Sequence, residues 1–169
     1  MPKGDPSSPF TDQVAAAEHG PPMIGDLMRL PWEAVHRRML EALRENGFGD
    51  IDGPRLAVFL WPGPDGQRPS DLAARMKVTK QALNYILGDL ERLGYVERRP
   101  DPDDRRARRL ALTDRGRELV PIIRGAVSNT EREWAASLGE ARVEQLRELL
   151  VELNEIAAPE ASDDAVGLR

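Results

Sequence analysis

Pro69-Ser70-Asp71-Leu72-Ala73-Ala74-Arg75-Met76 reads as a short helix, Lys77-Val78 as a turn, and Thr79-Lys80-Gln81-Ala82-Leu83-Asn84-Tyr85-Ile86-Leu87-Gly88-Asp89-Leu90-Glu91-Arg92-Leu93 as a second, longer helix. Tyr95-Val96-Glu97-Arg98-Arg99 follows, then the charged hairpin Pro100-Asp101-Pro102-Asp103-Asp104-Arg105-Arg106-Ala107-Arg108-Arg109, then Leu110-Ala111-Leu112-Thr113. Two helices joined by a tight turn and followed by a ribbon with an arginine-rich tip can set a helix in a DNA major groove with a wing beside it.

At roughly 100° per residue, Leu83, Ile86, Leu87, Leu90 and Leu93 share one stripe of the second helix. Lys80, Gln81, Asn84, Tyr85 and Gly88 fall on the opposite side. These residue types suit a nucleic-acid surface: amides pair with adenine, lysine meets guanine or phosphate, and a tyrosine hydroxyl donates to phosphate. Thr79 is placed to cap the helix, which leaves Lys80 and Gln81 in the first turn, nearest the bases. Gly88 costs about 1 kcal/mol relative to alanine inside a helix. It becomes intelligible if another backbone, of protein or DNA, must come close. A solvated polar face with a tolerated glycine is the plainer reading, and the helix alone does not choose between them.

The ribbon does. Strand-forming residues are few in it, but Pro100, Pro102 and the aspartates enforce a turn between two extended runs. Six arginines (98, 99, 105, 106, 108, 109) lie within twelve residues against three acids, and lysine is never used. Arginine is the side chain that enters narrow minor grooves and forks onto phosphates.

Asp101-Pro102-x-Asp104-Arg105-Arg106 and Leu112-Thr113-x-x-Gly116, preceded by Leu72-Ala73 and Leu90-Glu91-x-Leu93-Gly94-Tyr95-Val96-Glu97-Arg98, resemble the MarR family of bacterial winged-helix transcription regulators. The likeness of layout covers residues 23–157, resting outside the central block on helix order. The resemblance implies a mainly α fold with a small β wing (α+β), a winged helix-turn-helix flanked by N- and C-terminal dimerisation helices. It also implies a homodimer on a pseudo-palindromic operator, usually a repressor, often released by a small organic ligand. Within its wing pattern Asp104 and Arg106 match D-x-R, where the arginine enters the minor groove and the aspartate braces it. Arg105, Arg108 and Arg109 are then expected as auxiliary phosphate contacts.

The formal charge of −5 argues poorly against DNA binding once it is divided along the chain. Residues 68–109 carry eleven Lys and Arg against seven Asp and Glu, a net of +4, and the remaining 13 basic and 22 acidic residues give −9. Such segregation gives one module a positive surface. Cysteine is absent, which excludes disulfides and thiol-based sensing. Two histidines and no clustered ligand spacing argue against a metal site, and nothing points to a cofactor. No apolar run has the length of a membrane span and no signal-peptide pattern opens the chain, so the expectation is a cytoplasmic protein without membrane contact.

Residues 1–22 and the acidic stretch 158–169 read as disordered tails around a single domain, 23–157. Within it, 51–112 is the expected winged helix-turn-helix, and 23–46 and 113–157 the expected dimerisation helices. Pro31 should kink or split the first of these, and Pro121 should bend the long helix capped by Thr113. Asp52 caps the next helix, with Pro54 in its first turn. Helices this apolar need a partner surface, and a twofold copy supplies one; the alternative is a monomer in which they form a self-contained helical cap. Trp32, His36, Met39, Phe59 and Trp61 are candidates for a ligand pocket near the junction with the winged domain, against the commoner reading of such residues as core. The turn Pro62-Gly63-Pro64-Asp65-Gly66 has no functional explanation from sequence.

No nucleophile–base pair, carboxylate dyad, phosphate loop or metal constellation appears, so catalysis is not expected. The remaining rival to a DNA-binding regulator is a winged-helix adaptor for other proteins, which would not need six arginines in its wing.

Overall fold

A computed structural model describes residues 22–60, 62–104 and 106–157. The expected tails (apart from Pro22), Trp61 and Arg105 lie outside the described residues. The order is α1 (Ile24–Glu45), α2 (Gly53–Phe59), α3 (Pro69–Arg75), α4 (Lys80–Arg92), β1 (Val96–Pro100), β2 (Arg108–Leu112), α5 (Asp114–Leu138) and α6 (Glu140–Ala157). The protein is thus mainly helical with a two-stranded antiparallel ribbon, a winged helix-turn-helix. It divides after Ala126 into two compact units.

The first unit buries one apolar face from every element. Met39 and Leu43 of α1, Leu56, Val58 and Phe59 of α2, Leu72 of α3, and Leu83, Leu87 and Leu90 of α4 lie in its core. Val96, Leu110, Leu112, Leu119 and Ile123 join them. Each such side chain contributes about 1.5–3 kcal/mol relative to exposure. The caps follow the sequence: Asp52 accepts from the Arg55 amide at 3.1 Å and Thr79 Oγ1 from the Ala82 amide at 3.1 Å. Lys77 closes the turn between α3 and α4 in the left-handed region, at φ 53°.

Pro31 does not split α1, which runs unbroken through it. The carbonyl that a proline leaves without its helical donor belongs here to Leu27, on an exposed stretch where water can reach it. Pro121 is likewise exposed within an unbroken α5.

The join between α4, β1 and α5 brings backbone into close contact. Gly94 turns the chain at φ 77°, and the Tyr95 amide donates back to the Leu90 carbonyl at 2.9 Å. The Tyr95 ring is fully buried, between Phe48 and Phe59, and its hydroxyl donates to Asp50. Arg115 of α5 lies 4.5 Å from the ring centroid and donates to both Asp50 (2.9 Å) and the Tyr95 hydroxyl (2.9 Å). Burial, with the adjacent Asp50 carboxylate, pushes the phenol up to about 12. The Tyr95 carbonyl meanwhile accepts from the Thr113 amide at 3.1 Å, and Thr113 Oγ1 donates to the Gly94 carbonyl and accepts from the Gly116 amide. A Cβ on Gly116 would stand 2.0 Å from that Tyr95 oxygen. The Leu112-Thr113-x-x-Gly116 motif is therefore a steric requirement.

The turn at 62–66 has a structural role. Gly66 donates to the Leu110 carbonyl and Leu110 donates to Gln67, both at 2.8 Å, while Asp65 accepts from the Leu112 amide at 2.8 Å. This segment covers the edge of β2 that β1 leaves open. The same alternation puts Pro100, paired with Arg108, where its missing N–H would have pointed away from β2, so no ladder bond is lost.

In the second unit, Gly139 separates α5 from α6 at φ 94°, and Arg147 donates to Glu131 (2.9 Å) and Glu144 (3.2 Å). No α6 residue is buried; Leu146, Leu149, Val151, Leu153 and Ile156 are exposed.

Two glycines make a paired test. Gly116→Ala should destabilise the protein by about 2 kcal/mol or more, because backbone must shift to admit the methyl group. Gly88→Ala, whose Cβ meets nothing within 4 Å, should stabilise it by about 0.5–1 kcal/mol. Urea unfolding of both variants checks the opposite signs.

Candidate nucleic-acid interface

The α4 helix presents two faces of opposite character. Leu83, Leu87 and Leu90 are buried, whereas Lys80, Gln81, Asn84, Tyr85 and Gly88 are exposed, Tyr85 to 76%. The buried leucines fix the helix so that its polar face points away from the core. Thr79, exposed at the N-cap, uses a hydroxyl lone pair on the Ala82 amide. Among the described residues outside its own helix, none places an atom within 4 Å of a Gly88 Cβ.

Two ion-paired groups hold this helix and its neighbouring strand. Arg55 of α2 donates to Asp89 at 2.7 Å and to Asp52 at 2.8 Å, while Arg92 donates to Asp89 at 2.8 Å. Hydrogen bonds from Arg92 and Arg55 hold the Asp89 carboxyl below its ordinary value. Arg98 of β1 donates to Glu91 (3.0 Å) and to the Asn84 carbonyl oxygen (3.1 Å), joining the wing to the exposed face of α4. The Asn84–Arg98 link was not legible in sequence; the separation of 14 residues crosses a turn whose geometry no local pattern encodes.

The wing is held at its root by Asp101, whose side chain is fully buried. Arg68 Nε lies 2.7 Å from its carboxylate and Arg109 Nε 3.0 Å, and the Asp103 amide donates to it at 2.9 Å. Arg109 first, then the Asp103 amide and Arg68, hold the Asp101 carboxyl well below the usual carboxylate range against the opposing effect of burial. Sequence reading missed Asp101 because it looked like one more turn aspartate.

Two expectations about the wing change in detail. Asp104 accepts from the backbone amide of Arg106 at 2.9 Å, so the brace it supplies is to the turn and not to the guanidinium. Arg109, expected as a phosphate contact, is paired with Asp101 and, at 2.9 Å, with Asp103. Its charge is neutralised within the wing root. Arg106 and Arg108 are exposed.

Four of the five expected pocket residues are described, and they differ in exposure. Met39 and Phe59 are core residues, Phe59 lying edge-on to Tyr95; Trp32 is half exposed and stands 6.0 Å from the His36 ring. A cleft of about 790 Å³ lies instead between α2 and α4, lined by Asp52, Pro54, Arg55, Thr79, Gln81, Ala82, Tyr85, Ile86 and Asp89. None of the described pocket candidates lines it.

Asp101→Asn tests the root. A carboxylate whose pKa is depressed by folding contributes stability above its unfolded value and loses it as pH falls towards the folded one. The stability gap between wild type and Asp101→Asn, read from urea midpoints, should be full near pH 6 and narrow as the pH drops below about 4. A gap independent of pH would show that the charge on Asp101 is not what holds the wing.

Comparison with known proteins agrees with this geometry. The sequence profile of the MarR family matches residues 59–107, from the end of α2 through the wing. An uncharacterized HTH-type transcriptional regulator of Bacillus subtilis (strain 168), YkoM, is 28% identical over 92 residues, covering 54% of this chain and 58% of that relative. The chain therefore spans less than two thirds of that relative's length. CouR from Rhodococcus jostii RHA1, solved bound to p-coumaroyl-CoA, is 25% identical with a TM-score of 0.61 over 80% of this chain and 92% of its own. Streptococcus pneumoniae FabT, solved in complex with DNA, shares the fold at 22% identity and a TM-score of 0.64, covering 79% and 94% respectively. The helix-turn-helix and wing of this chain, residues 59–107, thus match the MarR family of winged helix-turn-helix transcription regulators, and the fold is similar to CouR over most of the chain.

Proposed function

We propose that the protein is a sequence-specific regulator of transcription that binds double-stranded DNA as a homodimer on a pseudo-palindromic operator, acting as a repressor relieved by a small organic ligand. The observation that carries this reading is the continuity of one polar surface: the exposed Lys80, Gln81, Asn84 and Tyr85 of α4, tied through Arg98 to a wing whose tip exposes Arg106. A helix with its polar face outward beside a basic ribbon matches a major groove flanked by a minor groove. FabT carries the same fold in complex with DNA. Asp104 fixes the Arg106 backbone, which supports the arginine as the group that enters the minor groove. Arg108 then serves as a phosphate contact beside it.

Exposed apolar side chains support the homodimer. Met23, Ile24, Leu27, Met28, Leu30 and Trp32 at the start of α1, and Leu146, Leu149, Val151, Leu153 and Ile156 on α6, are uncovered in a single copy. Surface of this kind marks association. The CouR complex with p-coumaroyl-CoA supports a small organic effector for this family member as well. Two recognition helices related by a twofold axis would address half-sites about 10 bp apart.

Anisotropy titrations with DNA adjoining the protein's own gene and with scrambled DNA, at several salt concentrations, test the proposal. Selective binding with a steep salt dependence is expected, and sedimentation should show a dimer at micromolar concentration. Arg106→Ala should weaken binding by about tenfold or more while changing stability by less than about 0.5 kcal/mol, as for other exposed tips. Removing the acid at 104 would tighten binding by charge alone. Asp104→Ala is nevertheless expected to weaken it, because the turn that presents Arg106 is released. Binding to neither DNA at low salt would sink the regulator and favour a protein-binding winged helix.

A further inference from the structure

We propose that Arg98 determines the base preference of α4 by fixing which way the Asn84 amide faces, so that Asn84 reads guanine or thymine in place of adenine. The inference rests on the reading of α4 as the DNA-facing helix. Asn84 and Glu91 are seven residues apart, two turns, and so share a face of α4. Glu91 accepts from Arg98 Nε at 3.0 Å, which holds the guanidinium along the helix, and Arg98 Nη2 donates to Asn84 Oδ1 at 3.1 Å. A guanidinium has donors only, so the chemistry of the pair itself decides the amide's orientation: oxygen faces Arg98 and the NH2 group faces away. Reversing the amide would set donor against donor and lose a charge-assisted bond.

The adenine contact of an asparagine uses both ends of the amide, the oxygen accepting from N6 and the nitrogen donating to N7. With its oxygen held by Arg98, Asn84 offers donors. Guanine presents two acceptors in the major groove, N7 and O6, and thymine presents O4, whereas adenine sets its N6 donor beside the N7 acceptor and opposes a donor-only contact. Nothing in the helix sequence signals this, because Arg98 enters from the following strand. Glu91 belongs to the same device, as the residue that positions Arg98.

The test is a base-by-base affinity scan of the operator half-site with wild type, Asn84→Ala, Asn84→Asp, Arg98→Ala and Arg98→Lys. The base pair read by Asn84 is the one whose preference Asn84→Ala abolishes. There wild type should prefer guanine or thymine over adenine by about tenfold. Arg98→Ala should erase that preference while leaving the other positions unchanged, and Arg98→Lys, a donor-only side chain with one ammonium to serve both Asn84 and Glu91, should weaken it less than Arg98→Ala does. Asn84→Asp, which still accepts from Arg98 but has no donor, should reject the wild-type base. An adenine preference in wild type would overturn the inference. So would an Arg98→Ala variant that loses affinity equally for all sequences, with the salt dependence reduced by about one counterion, since that marks a phosphate contact. A wild type without any sequence preference would instead overturn the regulator reading on which the inference stands.

Discussion

Tyr95 stands where α4 ends, β1 begins and α5 is anchored, and the architecture of the first unit depends on what it does there. Its amide closes the end of α4, its carbonyl receives the Thr113 amide, its ring fills the core against Phe48 and Phe59, and its hydroxyl joins Asp50 and Arg115. A phenylalanine could fill the same volume but would remove the hydroxyl that bonds both Asp50 and Arg115, leaving those two to pair only with each other. Because the carbonyl lies where a Cβ at 116 would go, the backbone of α5 approaches β1 more closely than any side-chain-bearing residue permits. The position of the wing relative to α4 follows from that contact.

Electrostatics then differentiates arginines that look alike in composition. Arg55, Arg98 and Arg109 are held in ion pairs that fix elements to one another, while Arg106 and Arg108 remain exposed. A buried carboxylate such as Asp101 would be costly alone, and two guanidinium groups with a backbone amide offset that cost. Charge at the wing root thus does structural work, and the tip keeps its charge for a partner.

Much of this was readable from the chain because the signals are local. The leucine spacing of α4, the caps Asp52, Thr79 and Thr113, and the proline and aspartate turn of the wing are short-range features, and the elements formed where these placed them. What escaped was non-local. The role of Asp101 depends on Arg68, 33 residues earlier, and the service of the 62–66 turn depends on amides of Leu110 and Leu112. The pocket candidates show the same limit: helical spacing of Met39 and of Phe59 says that a side chain faces inward, but not whether a space awaits it there.

The segment that seals β2 has one more consequence. A surface ribbon of two strands offers two open edges, each a template for another chain's backbone. Here one edge is closed by Asp65, Gly66 and Gln67, and the other carries Glu97, Arg98, Arg99 and a proline. A ribbon built to be displayed is in this way kept from templating fibrils. The length of that proline- and glycine-rich connection is correspondingly constrained: an inserted residue would slide Gly66 out of register with Leu110 and uncover amides that invite aggregation. Among the surface connections of the chain, this one should tolerate insertion poorly.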